Sequence, residues 1–225
     1  MLDIFTQMPL FRGVTRERMA QTVGMAKFHF LKYRPSETIV NAGDRCMHLR
    51  FILSGKVRIS ITNSDGRFRV SQTLSAPDVV SPDFLFGPST LYPGDVTSID
   101  DVSIVQVSKA DYVKILNSDP IFMFNYLNYL SMNAQKSIDG VMSLSMGSIE
   151  ERIAFWVVAT TQPTATDVTV ECRQRDMCFI FGVQRSSFVA ALDHLAERRA
   201  LSYSGGEIHV LDRRALVSVL RGGLE

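Results

Sequence analysis

The chain has 225 residues and a formal net charge of +1, with 24 Lys and Arg against 23 Asp and Glu. That length gives room for two modest domains, each with its own hydrophobic core, and the composition is ordinary for a globular protein. No apolar run reaches the roughly 18 residues needed to span a bilayer. Met1-Leu2-Asp3-Ile4-Phe5 lacks the basic start and apolar core of a secretion signal, so a cytoplasmic protein without a membrane partner is expected.

Residues 1 to about 27 read as peripheral helix, with Thr15 as N-cap before Arg16 and Glu17, and with Leu10, Phe11, Val14, Met19 and Val23 as apolar positions. From Phe28 to Val107 the hydrophobic period changes to two. Strands are expected at 28–33, 38–40, 49–53, 57–61, 69–74 and 103–107, parted by turn-forming stretches such as Arg34-Pro35-Ser36, Asn63-Ser64-Asp65-Gly66 and Ala76-Pro77-Asp78. Many short strands at regular spacing predict a sandwich or barrel.

Lys109 to Leu116 is expected to be a short helix. Ser118-Asp119-Pro120 then opens a long one, running to about Met146, with a capping residue and a proline in the first turn. Along it Leu127, Leu130, Ala134, Ile138, Val141 and Leu144 recur at steps of three and four. Such a stripe either packs on its own domain or pairs with a copy of itself. Gly147 breaks the helix, and Ser148-Ile149-Glu150-Glu151 forms a capping box that starts another, through about Ala159. A strand at 168–171 follows.

The stretch from Arg173 to Leu211 carries the most specific pattern. A short helix, Gln174 to Phe181, stops at Gly182, because glycine enters a positive φ at no steric cost. A second helix starts within three residues, with Phe188, Ala191, Leu192 and Leu195 on one apolar face and Gln184, Arg185, Ser186 and Ser187 opening the other. That is a helix-turn-helix whose second helix offers its first residues to a DNA major groove. Leu201–Ser204, Gly205-Gly206 and Glu207–Leu211 read as a hairpin wing. From Ser148 onward there are nine Arg and no Lys against ten Asp and Glu, so any positive field toward DNA is local, from Arg173, Arg175 and Arg185.

Cys46, Cys172 and Cys178 fit no disulfide framework and are read as free, partly buried thiols. His29, His48, His194 and His209 are scattered, so no metal site is expected. No His-x-His pair occurs, as a cupin-like metalloenzyme would require, and neither a catalytic triad nor a phosphate-cradling glycine loop stands out, so no enzyme is expected.

Three motifs in order, Ala42-Gly43-Asp44 leading to Phe51-Ile52-Leu53-Ser54-Gly55-Lys56-Val57-Arg58-Ile59, then Glu150-Glu151-Arg152-Ile153-Ala154, then the segment from Gly182 to Leu201, resemble the Crp/Fnr superfamily of dimeric bacterial transcription regulators. The resemblance covers almost the entire chain. It implies an α+β protein with an effector-sensing, jelly-roll-like β-roll at 1–117, a long dimerisation helix and hinge at 118–147, and a winged helix-turn-helix DNA-binding domain at 148–225. It implies a homodimer joined along Leu127, Leu130, Ala134, Ile138 and Val141, a hinge at Gly147, double-stranded DNA as partner, and RNA polymerase as a further partner. Base reading falls to Arg185, with Ser186 and Ala190 where relatives often carry a glutamate and an arginine; Gln184, Ser187, Arg173 and Arg175 are the phosphate contacts.

Relatives that answer to cyclic nucleotides carry a Gly-Glu pair and, about ten residues on, an Arg-Ser pair. Here Ser81-Pro82 and about Tyr92-Pro93 stand in those places, and no arginine lies between Arg69 and Arg152. Burying a phosphate without a cation costs several kcal/mol, so cyclic AMP in the usual mode is not expected. An effector pocket at Ser81, Phe84, Phe86 and Tyr92, with Leu85 and Leu91, would suit an apolar or aromatic ligand, or haem held without histidine; the same aromatics would equally fill a core. The cofactor is therefore unknown. The competing reading is a sensor that acts through protein contacts and does not bind specific DNA.

Overall fold

The computed structural model describes residues 2–143 and 147–221. The chain divides into two compact units, one made of the chain to Ile59 with Leu74–Asn133, the other of Ser60–Thr73 with the chain from Ala134 onward.

The first unit opens with helix α1 (Leu2–Gln7), a 3₁₀ turn (Pro9–Phe11) and helix α2 (Arg16–Met25), the last capped by Thr15, whose hydroxyl accepts from the Arg18 amide. Strands β1 (Phe28–Tyr33), β2 (Thr38–Val40), β3 (His48–Ser54), β4 (Lys56–Thr62), β5 (Phe68–Ser75), β6 (Asp78–Val80), β7 (Asp95–Ser98) and β8 (Val102–Ser108) follow, then helices α3 (Lys109–Ser118) and α4 (Pro120–Ser143). One antiparallel sheet runs β1-β8-β3-β6; β2, β7 and β4 neighbour one another in a second. Alternation along β3 sends Phe51 to one face of its sheet, where it meets the rings of Phe5 and Phe11 at centroid distances of 6.3 and 5.1 Å. Phe11 also meets Phe122 of α4 edge-on at 5.7 Å, and Asn125 donates to the carbonyls of Leu10 and Arg12. The helices thus cover the Phe51 face. Ile52 and Ile104, paired across β3 and β8 on the opposite face, are also wholly buried.

The second unit contains helix α5 (Ile149–Thr160), strand β9 (Thr166–Cys172), helices α6 (Gln174–Phe181) and α7 (Arg185–Glu197), strands β10 (Leu201–Ser204) and β11 (Glu207–Val210), and helix α8 (Arg213–Arg221). The capping box at the head of α5 is complete: the Ser148 hydroxyl accepts from the Glu151 amide, and the Glu151 carboxylate accepts from the Ser148 amide at 2.7 Å. The sheet order is β10-β11-β9, and the far edge of β9 pairs with β5 from Phe68↔Cys172 to Thr73↔Thr166. The tip of the β4–β5 hairpin is therefore part of this unit's sheet.

Three elements were not expected from the sequence. The strands β6 and β7 span three and four residues and coincide with turn-forming Pro-Asp and Gly-Asp stretches, too short for alternation to show. Helix α8 follows the wing directly; Leu216 and Val219 bury its apolar face, and Arg213 fixes it to α5 by donating to Thr161 Oγ1 and the carbonyls of Val158 and Thr161. Burial lowers the Arg213 pKa, the mark of a guanidinium drawn into the packing. Leu144 and the rest of the expected end of the long helix, to Met146, lie outside the described residues.

Candidate functional site

The helix-turn-helix forms as its glycine requires. Gly182 sits at φ +62°, and Val183 donates back to the Cys178 carbonyl at 3.0 Å, closing α6. α7 then starts at Arg185 with Gln184 at its N-cap and no side-chain capping bond. Its apolar face is the expected one: Phe188, Ala191, Leu192 and Leu195 are all buried. Gln184, Arg185, Ser186 and Ser187 are exposed, as are Arg173 and Arg175 beside α6. The Arg185 Nη2 donates to Gln174 Oε1 at 3.4 Å, which draws the starts of the two helices together. Arg175 contacts the adjacent Asp176 at 3.8 Å, so part of its charge is spent locally. The wing is tied to α7 by Tyr203, whose hydroxyl donates to Asp193 Oδ1 at 2.5 Å.

Sequence patterning missed how α7 is held. Phe188 stacks on Phe181 at 5.9 Å, Phe181 meets Trp156 edge-on at 5.7 Å, and Trp156 meets Phe68 at 5.3 Å. Four rings thus run from the hairpin tip to α7. Only Phe188 had announced itself by helical spacing; the others come together from distant segments.

A charged contact also joins α5 to α7. His194 Nδ1 lies 2.9 Å from Glu150 Oε1, which raises the histidine's pKa above its ordinary 6.5 and lowers that of the glutamate below 4.5. The pairing is complete below about pH 6.5 and weakens as pH rises through the raised value of His194; at the acid end it fails as Glu150 is protonated. In an NMR titration the His194 ring should show a midpoint above 6.5, and Glu150→Gln should bring it back down. An unchanged midpoint in that variant would break the assignment.

Gly147 sits at φ +78°, and a Cβ there would come within 2.3 Å of Glu151 Oε2, the oxygen that caps the Ser148 amide. Gly147→Ala therefore attacks the capping box as well as the backbone, and should cost about 2 kcal/mol. Chemical denaturation measures it; a cost under about 0.5 kcal/mol would mean that neither the left-handed conformation nor the cap matters.

On α4, Leu127, Ile138 and Val141 are 51, 63 and 69 % exposed, and Ala134 is exposed with them; Leu130 is half-buried. Phe124, which the stripe had not included, is 65 % exposed. In the second unit the other side of α4 is taken: Lys136 donates to the Thr161 carbonyl, and Gly140 packs so closely on α5 that a Cβ would lie 2.5 Å from that of Ala159.

In the roll, Ser81 is buried at φ +43°, opening a 3₁₀ turn (Pro82–Phe84). That turn is braced against α4, where Tyr126 donates to the Pro82 carbonyl at 2.9 Å and Asn133 donates to the Asp83 carboxylate at 3.0 and 3.1 Å. Phe84 and Phe86 are half-buried, Leu85 and Tyr92 buried. Leu91, expected as a lining residue, is instead 44 % exposed, because it bridges Arg45 at the edge of the roll. Phe86 packs on Tyr126 at 5.7 Å and has the Lys109 ammonium 4.8 Å above its ring. Tyr92 donates to the His48 carbonyl at 3.2 Å and accepts from Arg50 Nη1. Burial raises the Tyr92 pKa, so the hydroxyl stays protonated. Arg50 was not expected at the site: no arginine lies between Arg69 and Arg152 in sequence, but the sheet brings one in from β3.

Residues 30–119 match the cyclic nucleotide-binding domain family. The whole chain is similar to two curated regulators: the cyclic AMP receptor protein of Thermus thermophilus (22 % identity, 95 % of this chain, 97 % of the relative) and the cAMP-activated global transcriptional regulator Vfr of Pseudomonas aeruginosa (23 % identity, 84 % and 92 %). The crystal structure of the Thermus thermophilus catabolite activator protein shares the fold, with a TM-score of 0.56 at 19 % identity over 95 % of this chain and 99 % of that one. A cyclic nucleotide-binding-type roll followed by a winged helix-turn-helix, with these relatives, supports a DNA-binding transcription regulator. Over most of its length the chain is thus similar to transcription regulators of the Crp/Fnr superfamily.

Proposed function

We propose that this regulator works as a homodimer joined along α4, takes a small-molecule or redox effector in its roll, and reads a near-palindromic DNA site with two copies of α7. The observation that carries the reading is the bare apolar line of α4, exposed at Leu127, Ile138 and Val141 while the face around Lys136 and Gly140 is already covered. An exposed apolar line at steps of three and four is a seam for another helix. Regulators of this superfamily bind DNA and act as dimers, which supports the same reading. Functionally the chain then divides into a sensor at 1–117, a dimerisation helix and hinge at 118–147 ending on Gly147, and a DNA-binding domain at 148–225.

Arg185 reads a guanine, Ser186 and Ala190 relax the neighbouring positions, and Gln184, Ser187, Arg173 and Arg175 hold phosphates. The effector site is the neighbourhood of Ser81, Phe84, Phe86 and Tyr92. Ser81-Pro82 in place of Gly-Glu supplies no ribose-binding carboxylate, so the effector is other than cyclic AMP in its usual mode. The braces from Tyr126 and Asn133 give the site a handle on α4, through which an effector would alter the helix pair. RNA polymerase is the expected partner once the regulator is on DNA, and the compartment is the cytoplasm.

A gel shift on the DNA upstream of its own gene, with calorimetric titration of cyclic AMP and cyclic GMP, tests these points. Specific retardation and no micromolar nucleotide binding are expected. Absence of a shift would favour the second reading, a sensor acting through protein contacts, which the nine arginines against ten acids beyond Ser148 keep in view.

A further inference from the structure

The roll holds two cations, Arg50 and Lys109, that pair with no acid among the described residues. Arg50 is half-buried; its Nη1 donates to Tyr92, its Cζ lies 5.5 Å from the centre of that ring, and its Nε is buried with no hydrogen-bond partner among the described residues. Gln106 stands directly opposite Arg50 in the β3–β8 ladder and hence on the same face of the sheet, and its Oε1 is likewise buried with no hydrogen-bond partner among the described residues. Lys109 offers its ammonium to the face of Phe86. Both cations act electrostatically on the Cys46 thiol, against the burial that raises its pKa. Neither cation forms an ion pair among the described residues. Asp78, the buried carboxylate one step along the same face, accepts from the Val79 amide.

A guanidinium drawn from water without a counter-charge is costly, and an unmade hydrogen bond at Nε adds to the cost. An oxyanion resolves both at once, since a guanidinium grips carboxylate or phosphate oxygens through parallel N–H bonds. We propose that the roll binds a small molecule bearing a carboxylate or phosphate, held by Arg50 of β3 with Lys109 as second cation. The ligand's cation thus comes from the strand facing Tyr92, not from the segment around Tyr92 itself. This deepens, and rests on, the reading of the roll as an effector site. Tyr92, bonded to Arg50, registers whether the anion is present, and Phe86, between Lys109 and Tyr126, carries that state to α4.

The test uses the full-length protein in thermal-shift titrations with sodium phosphate, sodium benzoate and cyclic AMP, against sodium chloride at matched ionic strength. At least one oxyanion should raise the melting temperature saturably beyond the chloride control. Arg50→Gln should weaken that response about tenfold or more. Gln106→Glu, which sets a carboxylate opposite Arg50, should abolish it by occupying the guanidinium from within, and keeps the test decisive should Arg50→Gln fail to fold. No saturable response from any of the three probes, or an undiminished response in Gln106→Glu, overturns the proposal. Phosphate and benzoate separate the two oxyanion chemistries, and Arg50-dependent cyclic AMP binding would uphold the anion site while refuting the exclusion of that nucleotide. DNA binding is measured separately by gel shift, so a protein that binds anions yet ignores DNA would refute the regulator reading alone.

Discussion

Arg185→Ala should lower affinity for the operator by about 5- to 150-fold, the 1–3 kcal/mol that a bidentate guanidinium–guanine contact contributes. The fold should be untouched. Arg185 is exposed at the first turn of α7, and its one hydrogen bond among the described residues is the 3.4 Å contact to Gln174, whereas α7 is held by Phe188, Ala191, Leu192 and Leu195 on the far side. Specificity should fall with affinity, because Ser186 accepts several bases and Ala190 can touch only a thymine methyl. Anisotropy titrations on the operator and on a scrambled duplex separate the two roles open to the side chain. A base reader loses binding on the operator and little on the scramble. A phosphate contact weakens both alike and reduces the slope of affinity against salt by about one ion. Equal losses on both duplexes would therefore remove Arg185 from base reading and leave the operator to be found by shape.

What the sequence disclosed and what it hid follow from the range of the forces involved. Local signals were legible to the residue: Thr15 and Ser148 as caps, Gly182 as a left-handed stop, the buried face of α7, the hairpin around Gly205-Gly206. These depend on neighbours within a few positions. The roll's strands were legible where five or more residues alternate, as in β3 and β4, or where β-branched residues cluster, as at Thr38-Ile39-Val40 of β2, and lost at β6 and β7, where the pairing partner rather than the pattern makes the strand. The pairing of β5 with β9 joins residues about a hundred positions apart, so nothing near Phe68 announces Trp156. The same reason hid Arg50. In sequence it stands between Leu49 and Phe51 as an ordinary strand charge; only the ladder that sets it opposite Gln106, and the return of the chain to Tyr92, give it a place at the candidate site. Leu91 failed in the other direction. An apolar residue next to Tyr92 reads as lining, yet alternation turns adjacent side chains to opposite sides, and Tyr92 takes the inner one.

Ile138→Glu should convert a dimer into a 25.2 kDa protomer in sedimentation while leaving the helical circular dichroism unchanged. Within a protomer the side chain is 63 % exposed, so the substitution itself should change stability by no more than about 0.5 kcal/mol. In a pair joined along α4 the new carboxylate would lie in the seam beside Val141, and a buried unpaired charge costs several kcal/mol. The consequence at the DNA is larger than at any single contact. Two linked recognition helices bind with the second engagement made intramolecular, an advantage of about 10²- to 10⁴-fold that the protomer forfeits without losing one DNA-contacting residue. Arg185→Ala and Ile138→Glu are thus distinguishable by mass as well as by affinity: the first stays dimeric and misreads, the second reads each half-site correctly and lets go. Ile138→Leu, which keeps the apolar surface, should behave as the unaltered protein. If Ile138→Glu keeps the dimer's mass, the copies are joined elsewhere, and the exposed line from Phe124 to Val141 would need another occupant.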